Sequence, residues 1–209
     1  TTDVVVCGAG ISGMCAAVAA AEKGAKVVLL EKGATSSFRG IDYGGIGTKM
    51  QQKSGAKVDK MQAVQEIMRW GGYKADQRVV SLWADHSGEA IDWLVEMAEA
   101  AGQTADPVPL EHQEVRGSTV PYFTTQTFVL NPSEEALAAS PKGTSPRQAA
   151  LRYALETTAK QLGVDIRFNT PAQQLIREGN GRVTGVIAKS EDGSYIRFDD
   201  NACVLLNNS

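Results

Sequence analysis

Residues 3–32, DVVVCGAGISGMCAAVAAAEKGAKVVLLEK, set the architecture of this chain. The run at residues 4–7 is apolar and β-branched, which is typical of a buried parallel strand. Residues 8–13 follow it with the pattern G-x-G-x-x-G, and the alanine-rich residues 14–23 predict a helix that ends at Gly24. We therefore predict a strand, a tight turn and a helix in direct succession.

Each glycine of the turn has its own mechanical purpose. Gly8 permits the sharp change of direction from strand to helix, and Gly10 lets the backbone approach a pyrophosphate with no side chain between them. Gly13 allows the helix to pack closely on the strand. The helix N-terminus then offers free N–H groups and partial positive charge to the phosphates. This turn predicts a dinucleotide-binding site.

A second apolar strand at residues 27–30 ends on Glu31, which lies 23 residues after Gly8. A carboxylate at this place can accept hydrogen bonds from the two hydroxyl groups of a ribose. Because the residue is an acid and not an arginine, the sequence favours a free 2′-hydroxyl, and hence FAD or NAD over NADP.

Composition limits the function classes. At 209 residues the chain is long enough for one large domain, or for one domain and part of a second. Its formal net charge of −3 gives no reason to expect nucleic acid or an anionic membrane surface as a partner. No apolar run approaches the roughly 20 residues of a transmembrane helix. We predict a soluble globular protein, either cytoplasmic or exported by a leader not present in this chain.

The cysteines Cys7, Cys15 and Cys203 are odd in number and lie in apolar contexts. We interpret them as small buried residues rather than as disulfide partners or metal ligands, and we predict no metal site.

The middle of the chain has the 3.6-residue period of helices, over residues 59–101. We predict three helices there: the first runs up to Trp70, the second begins at Asp76 or Gln77, and the third has Ser87 as its N-cap. The tryptophans of this region are interpreted as packing residues: Trp70, Trp83 and Trp93.

Two irregular segments flank these helices. Residues 33–47 are glycine-rich, so this loop can lay its backbone against a flat ligand, with a plain surface loop as the alternative. Residues 103–145 have no sustained period and predict a long loop with a strand within it at residues 122–129. We interpret His112 in this loop as a solvated histidine rather than a catalytic one.

Regular structure returns at Ser145 or Pro146 with a predicted helix that runs to Leu162, followed by a strand at residues 164–168. The turn signals Gly179-Asn180-Gly181 and Asp192-Gly193 predict an antiparallel meander. Its three strands are expected at residues 172–177, 182–189 and 195–198. A closing strand at residues 202–206 should return to the parallel sheet, and its place so near the last residue leads us to expect a longer protein.

With its elements in this order, the chain resembles the FAD-dependent fumarate reductase and flavocytochrome c flavoprotein family, which also includes urocanate reductases and 3-ketosteroid dehydrogenases. The resemblance extends over nearly all 209 residues. Its most specific parts are residues 8–32, the sequence Gly44-Gly45-Ile46, and residues 169–186.

The resemblance implies an α/β fold. A Rossmann-like FAD-binding domain of the glutathione-reductase type, with a parallel sheet and a three-stranded β-meander, would comprise residues 1–50 and 146–209 and be incomplete at its C-terminus. Residues 51–145 would be a helical and loop insertion in it, and the family's capping domain and C-terminal half would be absent from this chain.

The resemblance also assigns residues to the cofactor. The FAD pyrophosphate would be held by Gly8, Gly10, Ile11, Ser12 and Gly13. Glu31 would bind the adenosine ribose with Lys32 beside it, and the backbone of Ala172 would face the adenine. The riboflavin end would lie along Gly44, Gly45, Ile46 and Gly47.

Three departures from the family's pattern refine this picture. Succinate dehydrogenase relatives have a histidine six residues before the glycine pair, to which the flavin is covalently joined; Phe38 stands there, so we predict non-covalent FAD. Residues 207–209 replace the family's Ala-Thr-Gly-Gly. No His-Arg-Pro segment occurs between residues 103 and 145, which weakens the case for fumarate itself as substrate.

We expect the whole protein to be an FAD-dependent oxidoreductase that moves a hydride between flavin N5 and a carbon–carbon double bond activated by a carboxylate or ketone. Its substrate would be a small molecule, and its electrons would come from a donor protein or domain. The family's proton donor and substrate-binding residues lie outside this chain, so we assign no catalytic residue and expect the chain alone to be inactive.

Three alternatives remain at this point. The first is a 3-ketosteroid dehydrogenase working in the opposite direction. The second is a module that only binds FAD, or its ADP half. The third is an NAD-dependent dehydrogenase, against which the meander argues by resemblance.

Overall fold

The computed structural model describes residues 1–38, 44–108 and 128–206. His112, residues 207–209 and all but the last two residues of the strand expected at residues 122–129 lie outside these ranges.

The chain divides into two compact units. The first comprises Thr1–Arg39 and Arg152–Ser209, and the second comprises Gly40–Leu151. In chain order the strands are β1 Thr2–Cys7, β2 Val27–Leu30, β3 Thr104–Pro107, β4 Phe128–Asn131, β5 Asp165–Arg167, β6 Ala172–Arg177, β7 Val183–Lys189 and β8 Tyr195–Leu206. The helices are α1 Ile11–Glu22, α2 Lys49–Ser54, α3 Lys60–Trp70, α4 Gln77–Ala100, α5 Glu134–Ala138 and α6 Pro146–Gln161.

The first unit is built on a sheet of six strands in the order β5-β2-β1-β8-β7-β6. Strand β1 pairs in parallel with β2 on one side and with β8 on the other, and β2 pairs in parallel with β5. Strands β6, β7 and β8 are antiparallel, so they form the predicted meander. The α/β architecture with a parallel sheet and a meander is confirmed, and β1 lies inside the sheet, as its apolar sequence predicts.

Strand β8 is one continuous strand of twelve residues where the sequence predicts two. Its first half pairs antiparallel with β7 and its second half pairs parallel with β1. The polar stretch at residues 199–201 is typical of a turn. It nevertheless continues the strand, because Asp199 pairs with Gly185 of β7 and Asp200 with Thr2 of β1. This strand joins the meander to the parallel sheet.

One hydrophobic cluster of the first unit lies on one face of this sheet. Its buried side chains are Val5, Cys7, Val28, Leu30, Val186, Ala188 and Phe198. Burial raises the pKa of the Cys7 thiol to about 11, and burial likewise raises the pKa of Cys15 on α1 to about 11. Both cysteines are free thiols. They therefore stay protonated near neutral pH and act as small apolar residues.

The second unit has α3 and α4 packed side by side. Asp59 and Asp76 are the N-caps of these helices: their carboxylates accept hydrogen bonds from Gln62 N (2.8 Å) and Arg78 N (2.9 Å). A core between the helices includes Val64, Met68 and Ala84. Within the described residues, no helix is long and apolar enough to cross a membrane.

Two expectations for this region are wrong. The second and third predicted helices are one helix, α4, because Ser87 is not an N-cap; it lies buried inside the helix, and its hydroxyl accepts a hydrogen bond from Ile46 N. Trp70 is 58 % exposed at the end of α3, so it is not a core residue, while Trp83 and Trp93 are half-buried.

The described parts of residues 103–145 are more regular than the sequence indicates. Strands β3 and β4 pair antiparallel, from Thr104 opposite Asn131 to Pro107 opposite Phe128. Helix α5 follows, and Ser133 is its N-cap through a hydrogen bond from Ala136 N. The pairing joins residues more than twenty positions apart, which a local sequence period does not reveal.

Gly88→Ala should destabilise the second unit, although alanine normally favours a helix by up to about 1 kcal/mol. A Cβ on Gly88 would lie 2.3 Å from the Ile46 carbonyl oxygen, a backbone atom. We expect a loss of about 2 kcal/mol in the free energy of unfolding, measured by urea denaturation. Gly71→Ala is the matched control, because its nearest atom is 3.4 Å away. A Gly88→Ala protein as stable as the wild type would contradict this packing.

Candidate functional site

The glycine turn joins the carboxyl end of β1 to the start of α1. Gly8 has φ +106°, in the region that favours glycine, and its N–H donates to Leu30 O of β2 at 2.7 Å. Gly10 is the N-cap of α1 and provides no side-chain cap. Met14 N donates to Gly10 O at 2.9 Å, and this bond begins the helical hydrogen-bond pattern. The first turn of α1 also has no acidic residue.

Glu31 is 4 % exposed and shapes this turn from the end of β2. Its Oε2 accepts a hydrogen bond from Ala9 N at 2.7 Å, and its Oε1 accepts one from Gly33 N at 2.8 Å. The carboxylate thus joins the turn after β1 to the loop after β2. Each carboxylate oxygen has a second lone-pair direction, so both can still accept from a ribose hydroxyl. The sequence predicts Glu31 as a ligand residue but not this structural function.

A third segment meets the same edge of the sheet. Glu31 N donates to Arg167 O of β5 at 2.9 Å, and Thr170 N donates back to Glu31 O at 2.8 Å. These bonds hold the chain just before Ala172, the first residue of β6. Ala172 and Lys32 are both exposed. The carboxyl ends of β1, β2 and β5 therefore gather the predicted residues of the first unit at one edge, where open α/β sheets bind ligands.

The predicted residues Gly44 to Gly47 lie in the second unit, and two of them pack against α4. A Cβ on Gly45 would lie 2.8 Å from Ser87 O. The backbone of α4 is therefore too close for any residue with a side chain at this position. The Ile46 side chain is buried in the core of α3 and α4. Ile46 N donates to Ser87 Oγ at 3.1 Å, and Gly47 has φ +83°.

Sequence reasoning missed a buried glutamine that closes this loop. Thr48 and Gln51 form a capping box at the start of α2: Gln51 N donates to Thr48 Oγ1 at 3.0 Å, and Thr48 N donates to Gln51 Oε1 at 3.3 Å. The signal was present in the sequence as T-x-x-Q.

A second missed group lies in the first unit. The Ser36 hydroxyl donates to Glu156 Oε1 of α6, and Arg152 Nε donates to Ser36 Oγ at 2.9 Å and to Glu156 Oε1 at 3.0 Å. Ser36 is buried. This network attaches the loop after Glu31 to α6, and no local pattern links residues 120 positions apart.

Glu31→Gln should destabilise the first unit. The amide group keeps one oxygen acceptor but turns its NH2 towards a backbone N–H, of either Ala9 or Gly33, so one buried donor loses its acceptor. We expect a loss of about 2 kcal/mol in the free energy of unfolding, measured by urea denaturation. Glu178→Gln, on the exposed hairpin turn, is the control and should change stability by less than about 0.5 kcal/mol. Equal stabilities of the two variants would rule out this function of Glu31.

Comparison with known protein families gives one match over almost the whole chain. Residues 3–209 match the family described as FAD binding domain.

Curated relatives include two reductases. The chain is 27 % identical over 207 residues to the vinyl phenol reductase of Lactiplantibacillus plantarum, covering 98 % of this chain and 37 % of the relative. It is 25 % identical over 209 residues to a fumarate reductase (cytochrome) of Shewanella frigidimarina, covering 98 % of this chain and 33 % of the relative. The chain thus spans roughly a third of the length of these relatives.

Solved structures have the same fold. The open conformation of a flavocytochrome c3 fumarate reductase superposes with a TM-score of 0.71 at 25 % identity, covering 98 % of this chain and 33 % of the other. A 3-ketosteroid-Δ4-(5α)-dehydrogenase from Rhodococcus jostii gives a TM-score of 0.70 at 24 % identity, covering 98 % and 45 %. Because the family match includes the glycine turn, Glu31 and the meander, this chain belongs to the FAD-binding domain family of flavoproteins.

Proposed function

We propose that this chain binds FAD without a covalent bond and is the cofactor-binding part of an oxidoreductase that transfers a hydride between flavin N5 and an activated carbon–carbon double bond. Bound FAD supplies the two-electron chemistry. The residues of this chain bind the cofactor and hold it in place.

The open N-terminus of α1 is the observation that supports this proposal most directly. Gly10 provides no capping side chain, and the first turn has no acidic residue that would neutralise the helix end. An uncapped, partly positive helix end beside a left-handed glycine suits a pyrophosphate. A hydrogen bond within the chain also holds the turn in shape, because Glu31 Oε2 accepts from Ala9 N.

We assign the ADP half of FAD to the first unit. The pyrophosphate would contact Gly8, Gly10, Ile11, Ser12 and Gly13. Glu31 would accept from the adenosine ribose with Lys32 beside it, and the Ala172 backbone would face the adenine. The backbone hydrogen bonds of Glu31 with Arg167 and Thr170 support this assignment, since they hold the segment of Glu31 and Lys32 next to the segment that leads into Ala172.

We assign the riboflavin end to the second unit, at Gly44, Gly45, Ile46 and Gly47. The attachment should be non-covalent, because Phe38 has only a hydrocarbon ring at the position where the resemblance places the flavin-linked histidine of succinate dehydrogenase relatives. Phe38 is buried.

We further propose that the whole protein acts on a small molecule with a polarised double bond. Two relatives support this class by their names, since one is a vinyl phenol reductase and another a fumarate reductase. The electrons would come from a donor protein or domain, and the residues that bind the substrate would lie outside this chain.

Gly10→Val should abolish FAD binding, because a branched side chain would occupy the place of the pyrophosphate. The purified wild-type protein, reconstituted with FAD, should show flavin absorption bands that pass into the supernatant after acid precipitation. Ala19→Val is the control: it adds the same side chain on the exposed face of the same helix. Normal flavin content in Gly10→Val would refute the assignment of the turn, and flavin left in the acid pellet would refute non-covalent binding.

The whole protein should pass electrons to unsaturated substrates. Dithionite-reduced protein, kept without oxygen, is expected to regain its oxidised flavin spectrum when a vinyl phenol, an unsaturated ketone or fumarate is added, with fumarate the slowest. Saturated analogues of the same compounds are the control and should leave the flavin reduced. Oxidation by none of the three unsaturated compounds would count against ene reduction, while leaving FAD binding intact.

A further inference from the structure

We propose that Gln51 is a positioning residue for the riboflavin end of FAD: it holds residues 45–48, here called the glycine loop, in a single conformation before the cofactor binds. This inference rests on the proposed function, since it concerns the loop to which the riboflavin end is assigned.

The Gln51 side chain is buried and bonded to three residues of the glycine loop. Its Oε1 accepts from Gly47 N at 2.6 Å and from Thr48 N at 3.3 Å, and its Nε2 donates to Gly45 O at 3.0 Å. Two N–H groups require an acceptor and one carbonyl requires a donor, and a carboxamide supplies both an acceptor oxygen and a donor NH2. The side chain belongs to α2, which follows the loop in the sequence, and it is hydrogen-bonded to both ends of the loop.

Helix α4 holds the other side of the loop. A Cβ on Gly88 would lie 2.3 Å from Ile46 O, and a Cβ on Gly45 would lie 2.8 Å from Ser87 O, so backbone touches backbone here. Ile46 N also donates to Ser87 Oγ. The loop is therefore in close backbone contact with α4 on one side. On the other side it is hydrogen-bonded to Gln51, and any movement away from Gln51 would break those bonds.

The combined contacts bond every N–H group from Ile46 to Lys49 within the second unit. Ser87 accepts from Ile46, Gln51 from Gly47 and Thr48, and Asp92 Oδ1 from Lys49 at 2.9 Å. A flavin ring along this loop would meet its glycine Cα atoms and carbonyl groups.

The location of Gln51 argues that hydrogen bonding, and not packing, requires a glutamine here. It is 3 % exposed on α2, a helix of only six residues, where an apolar residue would fill the same space. Burying a carboxamide costs free energy unless it is hydrogen-bonded, and this one makes three hydrogen bonds, all with the glycine loop. Gln52, the next residue on the same helix, is exposed.

The test compares FAD with ADP as ligands of wild type, Gln51→Leu, Gln51→Glu and the matched control Gln52→Leu. Dissociation constants come from calorimetry, and the absorption and fluorescence of bound FAD report the flavin environment. ADP lacks the riboflavin end, so its binding depends on the first unit alone. Thermal unfolding of each variant is recorded alongside.

We expect Gln51→Leu to weaken FAD binding about tenfold, because leucine cannot hold the loop in its preferred conformation. The spectrum of the bound flavin should also shift towards that of free FAD. ADP binding should change less than about twofold. Gln51→Glu keeps the acceptor for Gly47 N and Thr48 N but loses the donor to Gly45 O, so it should lie between wild type and Gln51→Leu. This variant also tests the inference if Gln51→Leu fails to fold.

Two results would overturn the inference: Gln51→Leu and Gln51→Glu binding FAD like Gln52→Leu, or an equal loss of FAD and ADP binding, which would mean a general effect on the fold. Failure of the proposed function looks different, because wild type itself would then bind ADP but not FAD.

Discussion

Backbone N–H groups that turn away from water need acceptors, and this requirement underlies both glycine-rich segments of the protein. Glycine permits a tight turn but offers no side chain to satisfy the amides it exposes. In the first unit, Glu31 accepts from Ala9 N and Gly33 N. In the second, Gln51 accepts from Gly47 N and Thr48 N. In each unit, a buried polar side chain thus gives a glycine-rich segment a defined shape.

The two side chains differ in charge, and the difference suits what each segment is proposed to bind. Glu31 is a carboxylate, which accepts hydrogen bonds only, and the ribose it is assigned to donates two. Gln51 is neutral and both donates and accepts, so it can hold a loop whose amides and carbonyls both need partners. A neutral residue also leaves the potential beside the proposed flavin unchanged. Pre-organisation of this kind reduces the ordering cost of binding a large cofactor.

Close backbone packing is the second recurring constraint. Gly88 lies against Ile46 O, Gly45 against Ser87 O, and Gly185 in β7 against Phe198 O of β8. None of these glycines needs a positive φ, so each is explained by a neighbour and not by its own conformation. Strand β8 shows the same principle on a larger scale, because its pairing changes from β7 to β1 without interruption. The closing strand of the parallel sheet is therefore the last strand of the meander.

Local order along the chain was enough to predict much of the first unit. The strand, glycine turn and helix at residues 3–23, the second strand ending at Glu31 and the hairpin at residues 179–181 all depend on neighbours within a few residues. Those neighbours are visible in the sequence as period, cap and turn signals. The family assignment also follows from them, because its specific parts are local.

Tertiary contacts decided the rest. Ser87 and Gly88 have the sequence of a helix boundary, yet they lie inside α4 because the glycine loop packs on them from 41 positions away. Strands β3 and β4 pair although they are more than twenty residues apart in the sequence. Ser36 is hydrogen-bonded to Arg152 and Glu156, which lie more than a hundred residues later. Glu31 and Gln51 are recognisable in the sequence as a ribose acid and a capping residue. Their hydrogen bonds to Ala9 N and Gly45 O exist only once the chain has folded, because a sequence period records the face on which a residue lies but not the backbone atom it will meet.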